Sequence, residues 1–244
     1  MVARVVRAVR SAGITDIVVV ASSDSELMSQ YLPDDAILAI QASPGGTGDA
    51  VRVGLRAISE RAQRVIVVGG DTPLVSADTI RAVATCVPPA TVALAAASIE
   101  DPTGYGRLIL GDGPGRVLRI VEEADASAKE LALRLVNGMV FAFDAAWLRA
   151  ELPTIEPSPI GEIYLTALIA MAASEGREVR AIEADDPWEI MGVNTRRQLA
   201  LAEAALRIRV NNALMDHGVS LVGGTSSSSR AVTFAGQRLF RKAA

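Results

Sequence analysis

The run Val65, Ile66, Val67, Val68, followed at once by Gly69, Gly70, Asp71, Thr72 and Pro73, constrains the fold of this chain more than any other stretch. Four consecutive β-branched apolar residues read as a strand buried on both faces, the pattern of a parallel sheet covered by helices. In open α/β sheets ligands sit just beyond the carboxyl ends of strands. Asp71 therefore stands where a ligand or metal ion would be. An aspartate after a strand is also an ordinary turn or N-cap residue, so the run alone leaves both readings open.

The flanking sequence alternates helical and strand periods: helix 2–12, strand 16–21, helix 25–32, strand 37–41, helix 48–59, strand 64–68 and helix 77–86. Such alternation is the signature of βα units and a parallel sheet. In the first helix Val2, Val5, Val6 and Val9 fall at i, i+3, i+4 and i+7, with Arg4, Arg7 and Arg10 elsewhere on the wheel. Beyond residue 91 the pattern changes. Strands are expected at 91–98, 107–112 and 116–124, separated by the turn-rich DPTGYG and DGPG, then a strand at 139–143, a helix at 165–175, a strand at 178–182 and a helix at 195–216. The segment from residue 223 opens GGTSSSS, a low-complexity stretch expected to form a poorly ordered tail.

Composition narrows the function. The 244 residues suffice for one large domain or two small ones, and half of them are apolar. A net charge of −4 offers no basic surface for a polynucleotide. No apolar stretch approaches the ~18 residues needed to span a bilayer. The single cysteine, Cys86, cannot form an internal disulfide and points to a reducing cytoplasm. The single histidine, His217, stands before Gly218 and reads as a helix end, so neither a His-based triad nor a zinc site is expected.

A second constellation, QASPGGTGDA over 41–50, follows the strand at 37–41 and opens a helix. Glycines 45, 46 and 48 let a ligand approach the backbone, while Thr47 and free helix N–H groups can donate hydrogen bonds. It is neither a Walker A loop nor a GxGxxG turn, and a glycine-rich turn without a ligand remains the alternative.

QASPGGTGDAV, VIVVGGDTPLVS, DPTGYGRLIL, RIVEEADA, VNGMVFAFD, GEIYLT and MGVNTRRQLA, in this order and spacing, closely resemble the uridylyltransferase domain of the bacterial bifunctional N-acetylglucosamine-1-phosphate uridylyltransferase/glucosamine-1-phosphate acetyltransferases. The resemblance covers residues 1–222. It implies an α/β fold with a Rossmann-like mixed, mostly parallel sheet of the nucleotidyltransferase (glycosyltransferase-A-like) type. It also implies uridylyl transfer from UTP to N-acetylglucosamine 1-phosphate, a step toward cell-wall precursors in the bacterial cytoplasm, with Mg²⁺ as cofactor. Residue by residue, Gln41 would meet the uracil edge, with Gly46 and Thr47 holding the base and nearby ribose or phosphate. Asp71 and Asn194 would ligate Mg²⁺. The Gly104 N–H, Glu122 and Asn137 would contact the sugar, although Glu122 is equally readable as a solvated strand-end acid beside Glu123.

Members of this family begin with a strand and a glycine-rich loop carrying an arginine, and later a lysine, both aimed at the triphosphate. Met1 aligns after that segment, so the resemblance places both catalytic cations before Met1 and leaves two neighbouring strands without a shared partner. Three positions depart from the pattern: Gly69 in place of a tyrosine, Met139 in place of a glycine, and Ala167 in place of an acid. No left-handed β-helix repeats follow residue 222, so acetyl transfer is not expected. UTP and a sugar 1-phosphate are the implied partners, without nucleic acid or membrane, and a homo-oligomer stays open. A nucleotidyltransferase for another sugar 1-phosphate and a non-catalytic UDP-sugar-binding remnant are the alternatives.

Overall fold

The computed structural model describes residues 1–22, 28–158 and 161–221. In chain order its elements are α1 (Val2–Ser11), β1 (Val18–Ser22), β2 (Ile37–Gln41), α2 (Thr47–Leu55), β3 (Arg64–Val68), α3 (Ala77–Thr85), β4 (Val92–Ser98), β5 (Arg107–Leu110), β6 (Val117–Val121), α4 (Ala128–Leu131), β7 (Leu135–Asp144), α5 (Ala145–Glu151), α6 (Ala167–Ser174), β8 (Val179–Glu183) and α7 (Arg196–Asp216). Contacts divide the chain into two compact units, Met1–Gly192 and Val193–Ala244.

The first unit holds a six-stranded mixed sheet in which β6, β5, β7, β4 and β8 lie in that order and β3 also pairs with β7. From the pairings, β3, β4, β5 and β8 run one way and β6 and β7 the other, so most strands point in one direction. β1 and β2 form a separate parallel pair. Among the described residues β1 pairs only with β2, and β3 only with β7.

β4 shows why helices cover this sheet on both sides. Val92, Leu94 and Ala96 join one cluster with Phe141, Phe143, Leu148, Leu168 and Ile169, whereas Ala93, Ala95 and Ala97 join another with Val5, Ile80, Val83 and Val140. Alternate residues of a strand face opposite sides, so a strand buried on both faces is apolar at every position. Phe141 and Phe143 stack with centroids 5.7 Å apart. On the alanine side, short side chains admit α3, whose first turn is capped by the Ser76 side chain accepting from Thr79 N–H. Such a cap is worth about 1 kcal/mol.

Two local expectations need revision. The helix expected at 25–32 falls partly outside the described residues. The rest of it is a single 3-10 turn, Ser29–Tyr31, ended by extended Leu32, since a residue before proline is driven out of the helical region. The strand expected at 139–143 runs instead over the ten residues Leu135–Asp144. Asp144 then caps the unanticipated α5 by accepting from Trp147 N–H at 2.8 Å. The expected tail lies outside the described residues. His217 does end a helix, as the C-cap of α7, within the second unit.

β7 carries the fold's main irregularity. Leu94 pairs with Phe141 and Ala96 with Asn137, two steps along β4 against four along β7. This bulge contains Gly138 and Met139, and Met139 has φ +49°, the one non-glycine residue with positive φ among those described. A glycine is the residue that adopts such a conformation without cost, which explains why methionine at this position is unusual. A Cβ at Gly138 would stand 2.4 Å from Ile190 Cγ2 and 2.7 Å from Ile190 Cβ. Ile190 is itself fully buried and cannot step aside. Gly138→Ala is therefore expected to destabilise the fold by about 1–3 kcal/mol, measured as a fall in denaturation midpoint at unchanged m-value.

Candidate functional site

Asp71 is held in a turn that does not use its side chain. Gly69 N–H donates to the Met139 carbonyl at 2.9 Å, and the Gly69 carbonyl accepts from both Thr72 N–H (3.3 Å) and Thr72 Oγ1 (2.7 Å). Thr72, Leu74 and Val75 are buried and anchor the loop, and Ser76 N–H donates to the buried Glu189 Oε2 at 3.0 Å. The Asp71 carboxylate is half-buried and has no hydrogen-bond or ion-pair partner among the described residues. It is an oxygen donor at a strand's carboxyl end, and a hard cation such as Mg²⁺ takes such a ligand. Among the described residues no three His, Cys, Asp or Glu side chains cluster as a metal group.

The Tyr105 hydroxyl accepts from Gly192 N–H at 3.1 Å. Burial pushes its pKa above the ordinary tyrosine value; the Gly192 N–H opposes that rise and the negative charge of Asp71 adds to it. Asp71 and Tyr105 thus share one electrostatic environment.

Of the residues that the resemblance assigns to the sugar, Gly104 precedes β5, Glu122 directly follows β6 and Asn137 lies on β7. Asn137 is buried; its N–H donates to the Gly106 carbonyl at 3.0 Å and its Oδ1 accepts from Met139 N–H at 3.1 Å. The bulge therefore re-aims Asn137 and also supplies the carbonyl that holds Gly69. A Cβ at Gly69 would lie 2.8 Å from Asp71 Oδ1 and 3.2 Å from Met139 Cβ. The two departures at 69 and 139 are thus one spatial event, with the larger residue on β7 filling room that a side chain at 69 would need. Glu122 is not a freely solvated acid, because its Oε1 accepts from the buried Thr166 Oγ1 at 2.7 Å. The Gly104 N–H donates to Glu123 Oε2, which also pairs at 3.3 Å with the buried Arg107.

The glycine-rich turn is stitched to the segment that follows residue 160. Gly48 N–H donates to the Ile163 carbonyl at 2.7 Å, Ile163 N–H donates to the Gly45 carbonyl at 2.8 Å, and Leu165 N–H donates to Thr47 Oγ1 at 3.0 Å. Gln41 Nε2 donates to Asp49 Oδ2 at 2.6 Å and lies 3.4 Å from the Gly46 carbonyl. Thr166, at the end of the same segment, reaches Glu122. One continuous set of bonds thus runs from Gln41 through the glycine turn to Glu122. A second runs from Asn137 through Met139 and Gly69 to the Asp71 turn.

Asn194 belongs to the second unit, where its N–H donates to Gln198 Oε1 at 2.8 Å ahead of the Thr195 N-cap of α7, and the residue is exposed. Sequence reasoning did not single out Asp49, Tyr105, Arg107, Glu123 or Thr166. All lie inside or beside the quoted motifs, but their partners are brought by folding.

Groups from the glycine turn, from the loop after β3 and from the bulged strand thus converge at one end of an α/β sheet, the arrangement of a nucleotide-handling domain. Comparison with known proteins makes this specific. The model of MobA-like NTP transferase domains matches residues 1–220, and the chain belongs to that family. It is 39% identical over 230 residues to the Bifunctional protein GlmU of Pelotomaculum thermopropionicum, covering 93% of this chain and 50% of that one. With the Bifunctional protein GlmU of Aquifex aeolicus it shares 36% identity over 228 residues, 89% of this chain and 49% of that one. With that of Corynebacterium efficiens the identity is 39% over 200 residues, 81% and 41% of the two chains. The chain spans about half the length of these curated relatives. No helix among the described residues is long and apolar enough to cross a membrane.

Proposed function

We propose that the chain transfers a uridylyl group from UTP to N-acetylglucosamine 1-phosphate in the bacterial cytoplasm, toward cell-wall precursors. A phosphate oxygen of the sugar phosphate attacks the α-phosphorus of UTP, the bond from that phosphorus to the β-phosphate bridging oxygen breaks, and UDP-N-acetylglucosamine and pyrophosphate result. The observation that carries this reading is the unbroken bond path joining the glycine turn, with Gln41, Gly46 and Thr47, to Glu122 through Thr166. A nucleotide site and a sugar site joined by one hydrogen-bonded segment suit a reaction in which positioning supplies most of the rate.

In this reading the Gln41 amide and Gly46 hold the base, Thr47 lies beside the ribose or phosphate, and Glu122, Asn137 and, once released from Glu123, the Gly104 N–H orient the sugar. Asp71 holds Mg²⁺, which neutralises triphosphate charge when bound. A homo-oligomer belongs to the same reading.

Pyrophosphate release from UTP and a panel of sugar 1-phosphates, with and without Mg²⁺, tests it. Release that requires Mg²⁺ and is fastest with N-acetylglucosamine 1-phosphate is expected. Release only with a different sugar 1-phosphate would replace the substrate. Absence of release, together with saturable binding of UDP-N-acetylglucosamine, would replace catalysis by binding.

A further inference from the structure

We infer that Asp49 sets the nucleobase preference of the site by holding the Gln41 side chain with its amide oxygen, not its amide nitrogen, facing the base. The inference rests on the reading above in which Gln41 meets the nucleobase.

A glutamine amide can present either a donor or an acceptor, and its neighbours decide which. Both neighbours of the Gln41 amide nitrogen are acceptors: the Asp49 carboxylate at 2.6 Å and the Gly46 carbonyl at 3.4 Å. Only the NH2 group can face them. The opposite orientation would set the amide oxygen against a carboxylate oxygen and a carbonyl oxygen. Gln41 Oε1 has no donor among the described residues, so it remains the group on offer.

Asp49 is itself tightly placed. It stands in the first turn of α2, yet it does not cap that helix, whose N-cap Gly46 has no side-chain bond. Among the described residues Gln41 is its one hydrogen-bond partner. Its carboxylate lies over Gly45, where a Cβ would stand 2.8 Å from Oδ2 and 2.9 Å from Cγ. The absence of a side chain at 45 thus makes room for the carboxylate that orients Gln41.

The chemistry of the bases turns this orientation into selectivity. Uracil carries a hydrogen on N3, which an amide oxygen accepts. Cytosine carries a lone pair on N3, which an amide oxygen repels. With Gln41 locked, the site favours uridine nucleotides over cytidine nucleotides of the same size. With Asp49 removed, only the 3.4 Å contact with the Gly46 carbonyl still opposes turning the amide over to donate to cytosine N3, and the distinction shrinks.

Titration calorimetry of the full chain with UTP and with CTP, each in excess Mg²⁺, tests the inference. The wild type is expected to bind UTP at least about tenfold more tightly than CTP, and Asp49→Ala to lower that ratio about tenfold, the worth of one mismatched hydrogen bond. Asp49→Glu, which restores a carboxylate, is expected to recover part of the ratio. In Gln41→Leu the ratio is expected to be near one, with no further change on adding Asp49→Ala. The ratio separates positioning from packing, because a loosened turn weakens both nucleotides alike. An unchanged ratio in Asp49→Ala, or a wild type that binds UTP and CTP equally, overturns the role of Asp49 while leaving the nucleotide site standing. A wild type that binds neither nucleotide overturns the reading of Gln41 and this inference with it.

Discussion

Replacing Gly46 by alanine is expected to weaken UTP binding by about a hundredfold while the sheet keeps its fold. Gly46 has φ +90° and ψ 177°, a region that costs any other residue about 1–3 kcal/mol. Its Cβ would also stand 2.6 Å from the Ile163 carbonyl oxygen and 2.8 Å from the Ile163 nitrogen. Both are backbone atoms and cannot rotate away. The turn would have to leave the 161–165 segment, breaking the Gly48–Ile163 and Ile163–Gly45 hydrogen bonds at 2.7 and 2.8 Å. Gly13 gives the control, since its φ is +91° but a Cβ there meets nothing within 4 Å. Gly13→Ala should therefore show the conformational cost as a lower melting temperature with UTP affinity unchanged. Calorimetric titration of both variants separates strain from collision, and a Gly46→Ala protein within twofold of wild-type affinity would sink the argument.

What could be read from residues alone follows the range of the interactions involved. β3 was legible to the residue, because a run of β-branched apolar side chains is a local signal, but of its apolar residues only Val65 is fully buried, since β3 pairs on one side alone, with the antiparallel β7. The glycine turn was legible as the opening of a helix for the same reason. Its bracing was not, since Thr47 and Leu165 are 118 residues apart and Glu122 and Thr166 are 44 apart. The strand expected from residue 139 starts late, because Asn137 and Gly138 precede the apolar run and are taken up by β7 only through its bulge. That bulge could not be foreseen from Met139, a residue with no intrinsic preference for positive φ. The Gln41–Asp49 bond spans only eight residues, yet it was missed because an aspartate in a first helical turn already has an adequate explanation in the helix dipole.

The Met139 bulge also shows how local strain serves the site. A non-glycine residue in the left-handed region costs about 1–2 kcal/mol, and the surrounding bonds hold it there. The same backbone turn lets Asn137 Oδ1 accept from Met139 N–H and lets the Met139 carbonyl accept from Gly69 N–H. Asn137 and the Asp71 turn are therefore positioned by one irregular strand. A shift of register there would move both together, since each is bonded to the same residue.

Asp71→Asn is expected to lower turnover at least about a hundredfold with little loss of stability. The carboxylate contributes no hydrogen bond to its own turn, whose closure rests on Gly69, Thr72 and Met139. Substitutions away from such bonds usually change stability by less than about 0.5 kcal/mol. The asparagine keeps the shape and removes the charge, so what is lost is affinity for a hard divalent cation and the neutralisation it brings to the triphosphate. Pyrophosphate release titrated with Mg²⁺ should show both a lower maximum and a higher half-saturating concentration. A second readout does not depend on activity. The negative charge of Asp71 helps raise the Tyr105 pKa, so in Asp71→Asn the Tyr105 hydroxyl should ionise at lower pH. Burial remains the larger cause and keeps its pKa above the ordinary value. Ultraviolet titration of the phenolate, corrected with a Tyr105→Phe protein, measures that displacement. If Tyr105 shifts and turnover does not, Asp71 stands at the site without holding the metal. If turnover collapses and Tyr105 shifts as expected, the acid at the end of β3 is both correctly placed and essential to the transfer.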